Sequence, residues 1–140
     1  MSQILYYLKG KGIDHRGRIL SDVLAADDTF LEVEHDYIQW LFPLKEPSHN
    51  VESAPVITDE EVTAARKDES VRKNMTTALE RMNKFYNDND HWLVSQEHNH
   101  LRITRIIKST RMILGDDLAT RFYDHIMARV HATEADILPL

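Results

Sequence analysis

The chain of 140 residues contains no cysteine, which excludes disulfide bonds and metal sites built on thiolates. Its longest apolar runs are far shorter than a membrane span, and its first residues, MSQILYYLKGKG, lack the charged start and apolar length of a signal peptide. A net positive charge is also absent, because 23 acidic residues outnumber 17 basic ones and the net charge is −6 with histidine neutral, so a nucleic-acid surface is not expected. These absences favour a cytoplasmic protein without a membrane span.

The apolar residues that are present predict an all-α fold. The chain length is usual for one domain, and we treat residues 1–140 as a single domain. Apolar residues recur at spacings of three and four over residues 71–86 and 103–114, whereas no segment shows convincing strand alternation. The sequence therefore predicts a single-domain irregular helical bundle of six or seven helices.

Cap and turn residues divide the chain. Asp27 or Asp28 precedes an apolar stripe that predicts one helix over residues 29–42, and Pro43 must end it. Residues 43–57 hold three prolines without periodicity, which predicts an extended loop. Thr58, followed by a glutamate three residues later, forms a capping box that begins the next helix. The residues expected to pin the loop to the surface are Leu44, Val51, Val56 and Ile57.

Two stretches, HDYIQWLFPL at residues 35–44 and HNHLRITRII at residues 98–107, resemble the signature segments of the opioid growth factor receptor conserved region. GRILSDVL before the first segment, and TDEEV and the pair Phe85–Tyr86 between the two segments, follow the order of that family, so the resemblance covers nearly the whole chain. The family is named for receptors of the enkephalin pentapeptide that are associated with the nucleus in animals. The resemblance implies a stand-alone, non-enzymatic member whose partner is a short peptide or a protein segment.

A polar stripe on the second signature segment is the first candidate site. His98, Arg102, Arg105 and Ser109 lie at i, i+4, i+7 and i+11, so they share one face of a helix. Two guanidinium groups present paired donors that suit a carboxylate. The alternative is structural: the arginines pair with acidic residues such as Glu34 or Asp36 on the facing helix, or they cap a loop carbonyl.

We therefore expect a ligand site where the two signature segments meet. Tyr37 and Trp40 would supply aromatic contact area there, although such rings more often lie in a core. The residues of this candidate site are Asp36, Tyr37, Trp40, His98, Asn99, Arg102 and Arg105.

Two Glu-x-x-His pairs support a second hypothesis. Glu32 with His35, and Glu97 with His100, have the spacing found in carboxylate-bridged di-iron sites, which take further glutamates such as Glu80 from other helices. A metal-dependent enzyme is therefore the alternative to a binding module, and a structural domain that assembles with itself or a partner is the third. The binding module requires no cofactor.

Overall fold

The computed structural model describes residues 2–48, 51, 53–94 and 97–133, and over these ranges the chain forms eight α-helices and no strand. The all-α prediction is confirmed, and residues from all eight helices meet in one hydrophobic core. None of the described helices is long and apolar enough to cross a membrane. In chain order the helices are α1 (Gln3–Leu8), α2 (Leu20–Leu24), α3 (Asp28–Val33), α4 (Ile38–Leu41), α5 (Asp59–Lys67), α6 (Glu69–Asp88), α7 (Asn99–Ile113) and α8 (Asp116–Thr133).

The single helix predicted over residues 29–42 is wrong, because the structure divides it into α3 and α4. Asp27 caps α3 as expected, and its carboxylate accepts the backbone N–H of Phe30 at 2.9 Å. Glu34 then adopts extended angles (φ −80°, ψ 138°), which ends the helix well before the proline. This extra break raises the helix number above the predicted six or seven.

The chain between α4 and α5 contains no helix in its described part, in agreement with the predicted loop. Leu44 and Val56 form an isolated parallel bridge, and the N–H of Ile57 donates to the carbonyl of Leu44. Ile57 is buried and anchors the loop, but Val56 is 44% exposed, so the prediction that it pins the loop is wrong. His49, Asn50 and Glu52 belong to the predicted loop and lie outside the described residues.

The capping box of α5 is confirmed. The Thr58 hydroxyl accepts the backbone N–H of Glu61 at 3.1 Å, and the Glu61 carboxylate accepts the backbone N–H of Thr58 at 2.8 Å. These two hydrogen bonds satisfy donors that the first turn of a helix leaves free, so the helix begins where the sequence predicts.

The long helices α6 and α7 present the apolar faces that their periodicity predicts. Gly115, with φ +109°, ends α7 before α8 begins, and only glycine adopts such an angle without strain. On α6 the buried residues are Val71, Met75, Ala78, Leu79, Met82, Phe85 and Tyr86. On α7 and its C-cap the buried residues of the predicted face are Ile103, Ile106, Ile107, Thr110, Ile113 and Leu114.

We expect Trp40→Ala to lower the free energy of unfolding by about 3–5 kcal/mol, because the indole lies in the core and its loss leaves a cavity. Its ring packs 5.3 Å from the ring of Tyr7, measured between centroids. Val33→Ala is the matched control on the neighbouring helix, since Val33 is 61% exposed and its truncation should change stability by less than about 0.5 kcal/mol. Urea unfolding measures both, and a loss below about 1 kcal/mol for Trp40→Ala would contradict its place in the core.

Candidate functional site

The guanidinium of Arg102 binds the end of α3 from across the fold. Its two terminal nitrogens donate to the backbone carbonyls of Leu31 at 2.6 Å and Glu34 at 2.7 Å. A helix end leaves such carbonyls without intrahelical partners, and Arg102 supplies the missing donors. The guanidinium also lies 5.6 Å from the centre of the Tyr37 ring. Arg102 therefore acts as a cap on backbone carbonyls, one of the two structural roles that the sequence left open.

Arg105 and Ser109, the next two residues of the polar stripe, bind backbone carbonyls further along the same segment. The Nε of Arg105 donates to the carbonyl of Phe42 at 2.9 Å, and the hydroxyl of Ser109 donates to the carbonyl of Pro43 at 2.8 Å. Burial lowers the pKa of Arg105 to about 10, against the opposing effect of the Glu46 carboxylate, so the side chain still carries its charge at neutral pH. One face of α7 thus donates hydrogen bonds to backbone carbonyl groups of α3, of α4 and of the residues that follow these two helices.

A groove of about 640 Å³ opens beside this stripe, between α7 and the described residues 35–48 and 51. Of the predicted site residues, it is lined by His98, Arg102 and Arg105.

Most of the other lining residues were not predicted for this site, and Gln39, Leu101 and Lys108 are among them. Leu101 is 66% exposed, although it directly precedes the predicted Arg102. The available signal was that Leu101 falls outside the isoleucine stripe of its helix, which places an apolar side chain on the surface. Gln39 had no such signal, because a glutamine in an apolar stretch does not reveal which way it faces.

Tyr37 and Trp40 do not line the groove, and the expectation that they offer contact area to a ligand is wrong. Tyr37 is fully buried and its hydroxyl donates to the carbonyl of Leu31 at 2.5 Å. Trp40 is buried and its Nε1 donates to Nδ1 of His15 at 3.0 Å. Both rings form the core behind the groove, with their polar atoms satisfied inside the protein.

Asp36 is an ion-pair centre for the turn before α2 and does not line the groove. Its carboxylate lies 3.0 Å from a guanidinium nitrogen of Arg18, 3.2 Å from one of Arg16 and 3.0 Å from Nε2 of His15. Asp14, which is almost fully buried, holds the other side of Arg18 at 2.7 Å. The suggestion that Asp36 pairs with Arg102 or Arg105 is therefore wrong, and Asp36 instead fastens the break between α3 and α4 to the N-terminal turn.

Asn99 is wholly buried and brings two carboxylates together. Its Nδ2 donates to Glu32 at 2.8 Å and to Glu97 at 3.3 Å, while its Oδ1 accepts the hydroxyl of Tyr86 at 3.0 Å. Burial raises the pKa of the Glu32 carboxyl, but hydrogen bonds from Asn99 and His91 outweigh it and hold that pKa below its usual range. Asn99 thus faces the interior and not the groove.

The four residues predicted for a di-iron site are only partly brought together. Glu32 and Glu97 converge, but His35 contacts Arg102 at 3.1 Å and His100 contacts the backbone carbonyl of Trp92 at 2.7 Å. Glu80 is exposed on α6. In the described part of the chain, the group that could hold an ion is Glu32, His91 and Glu97, so the predicted ligand set is wrong in both histidines. His91 escaped prediction because it reaches the site from a turn far along the chain.

Comparison with known proteins matches residues 13–91 to the opioid growth factor receptor conserved region. The rat opioid growth factor receptor is 35% identical over 130 residues, which cover 78% of this chain and 22% of the relative. The human opioid growth factor receptor is 35% identical over 117 residues, 66% of this chain and 17% of the relative. Mouse opioid growth factor receptor-like protein 1 is 33% identical over 129 residues, 78% of this chain and 28% of the relative. The chain thus spans less than a third of these relatives, and no solved structure matches it.

We expect Asp36→Asn to destabilise the protein in a pH-dependent way. Burial raises the pKa of Asp36, but hydrogen bonds from Arg16 and Arg18 outweigh it and hold the pKa below its usual range. A lowered carboxyl pKa stabilises the fold above the unfolded value, near about 4, and this contribution is lost as the pH falls through the folded value. The variant should lose about 1–3 kcal/mol at pH 7 and progressively less below about pH 4.

Chemical unfolding at a series of pH values measures this difference. Asp88→Asn is the control, because Asp88 pairs with Lys84 on the exposed surface of α6 and such a pair contributes little. A loss for Asp36→Asn that is equal at all pH values, or no larger than that of the control, would show that the ion pairs do not stabilise the break.

Proposed function

Because the chain belongs to the opioid growth factor receptor conserved-region family, we propose that it is a non-enzymatic binding module whose groove beside α7 holds a short peptide or a protein segment. The observation that carries this proposal is the charge of the groove. Arg102, Arg105 and Lys108 line it, and within the described residues none of the three has a carboxylate at ion-pair distance. Among the described residues that line the groove, Glu46 is the one acidic side chain.

The geometry of the arginines indicates where a carboxylate would bind. Arg102 directs both terminal nitrogens at backbone carbonyls, so most of its donors are committed to the fold. Arg105 engages the carbonyl of Phe42 through Nε and reaches that of Gln39 only at 3.5 Å. A guanidinium has five N–H donors, so Arg105 retains donors for a ligand. We therefore assign Arg105 and Lys108 to binding of the ligand carboxylate, and Arg102 to the floor of the groove.

The remaining lining suits a peptide. Leu101 offers apolar surface to the groove, and it is among the most exposed apolar residues of the described chain. The Oε1 of Gln39 is buried and has no hydrogen-bond partner in the described structure. An unpaired buried amide is costly, and a backbone N–H of a bound peptide would provide a partner once the side chain rotates.

The names of the relatives suggest the first peptide to test. The rat, mouse and human relatives are named opioid growth factor receptor, and this chain corresponds to about a fifth of their length. Opioid growth factor is therefore the first probe, and a carboxylate at the peptide C-terminus is the chemical feature on which our assignment depends. Peptides of other sequence with the same terminus test whether the groove is selective.

We expect opioid growth factor with a free C-terminal carboxylate to raise the melting temperature, and the C-terminally amidated peptide to do so at least tenfold more weakly in titration, because one charge-assisted hydrogen bond is worth about 1.5–3 kcal/mol. Lys108→Gln should weaken binding of the free-acid peptide by a similar factor. Lys73→Gln is the control, since Lys73 is an exposed lysine of α6 away from the groove.

Two results would contradict this function. If the free-acid peptide and the amidated peptide bind equally well, the C-terminal carboxylate does not contribute to binding. If Lys108→Gln leaves binding unchanged, the peptide binds outside the groove. Absence of a thermal shift with any peptide of a diverse acidic set would remove peptide binding altogether.

A further inference from the structure

Two carboxylates and an imidazole converge where α3, the turn after α6 and the start of α7 meet. One ligand atom from each of Glu32, His91 and Glu97 lies within 4.8 Å of the other two. Nε2 of His91 is 2.8 Å from Oε2 of Glu32. All three side chains reach the solvent in part, because Glu32 is 28%, His91 39% and Glu97 13% exposed, so an ion can enter from outside.

The surroundings of these side chains provide a second, independent observation. Asn99, fully buried, donates from Nδ2 to both carboxylates, and its backbone N–H donates to Oε2 of Glu97 at 2.8 Å. The hydroxyl of Tyr86 fixes the amide of Asn99 in turn. Buried hydrogen-bond donors that orient ligating carboxylates are the usual outer shell of a metal site.

The charge of the cluster also supports a metal site. Glu32 and Glu97 are like charges held a few ångströms apart, which is unfavourable unless a cation lies between them. His98 contacts both, with Nε2 at 3.4 Å from Glu32 and Nδ1 at 2.9 Å from Glu97. A divalent ion would neutralise the two carboxylates more completely than one imidazole does.

We propose that Glu32, His91 and Glu97 bind one divalent transition-metal ion, with Zn²⁺ as the preferred ion. Two carboxylate oxygens and one imidazole nitrogen form a three-residue ligand set that leaves the fourth tetrahedral position to water. The imidazole favours Zn²⁺ over Mg²⁺, because Mg²⁺ prefers oxygen ligands and octahedral geometry. The ion would join α3 to the turn after α6 and to Glu97 just before α7, next to the groove but with no part in the peptide contacts proposed above.

Calorimetric titration of the full chain with Zn²⁺ alone tests the site. We expect one ion per chain, with excess Mg²⁺ failing to compete, and a loss of affinity of at least about tenfold in His91→Ala and in Glu97→Gln. Glu97→Gln retains an oxygen that accepts the N–H of Asn99, so it should fold even if His91→Ala does not. Glu80→Gln and His131→Ala are matched controls, because both residues are exposed and lie on other parts of the described surface.

The controls should bind Zn²⁺ like the unaltered chain. The proposal is overturned if Zn²⁺ shows no saturable binding, if Glu97→Gln binds it as tightly as the unaltered chain, or if the two controls lose as much affinity as the ligand variants. Because this titration contains no peptide, a failure to bind Zn²⁺ would not count against peptide binding in the groove. A failure to bind peptide would likewise not count against the Zn²⁺ site.

Discussion

The hydrogen bonds from the Arg102 guanidinium to the carbonyls of Leu31 and Glu34 are the interaction on which the rest of the structure depends. A chain that leaves a helix inside a protein exposes carbonyl groups with neither helical partners nor water, and each costs about 1–3 kcal/mol if it stays unpaired. One planar, charged side chain serves both carbonyls here, and the hydroxyl of Tyr37 also donates to that of Leu31. The break between α3 and α4 is stable because α7 provides these donors.

The break decides which residues face the core and which face the groove. Once the chain turns at Glu34, Tyr37 and Trp40 point inward, and Asp36 points to the arginines of the N-terminal turn. Arg105 and Ser109 then hold the end of α4 and the proline that follows it. The groove is the space between α7 and this bent segment. The arginines that bind the segment therefore determine the shape of the groove and contribute to its positive charge.

The two candidate sites are neighbours at the start of α7 but differ in chemistry. The groove presents cations and an exposed leucine, which suit a peptide carboxylate with an apolar side chain. The cluster of Glu32, His91 and Glu97 presents anions and an imidazole, which suit a metal ion. His98 lies between the two, since it lines the groove and contacts both carboxylates of the cluster.

What the sequence could predict depended on local patterns. The buried face of α6, the isoleucine face of α7 and the capping box of Thr58 and Glu61 follow from spacings within one helix, and the structure contains all three. The arginine stripe on α7 could be located in the same way, but its partners could not, because they are carbonyl groups about seventy residues away. Backbone oxygens carry no signal in an amino-acid sequence.

The break within residues 29–42 escaped prediction for a related reason. The apolar period continues through it, and neither glycine nor proline marks the point where the chain turns at Glu34. Its causes are tertiary: Arg102 binds the freed carbonyls and Arg18 binds Asp36. The cluster that includes His91 is likewise formed by chain folding, and a search limited to Glu-x-x-His spacing selects the wrong histidines.

The free energy of unfolding of Arg102→Gln, measured by urea titration beside Lys108→Gln, tests the central claim most directly. Both residues lie on α7 and line the groove, but only Arg102 caps the carbonyls of Leu31 and Glu34. The account predicts a loss of about 2–4 kcal/mol for Arg102→Gln and a change below about 0.5 kcal/mol for Lys108→Gln. Equal and small effects of the two substitutions would contradict it, since the break would then be stable without its cap.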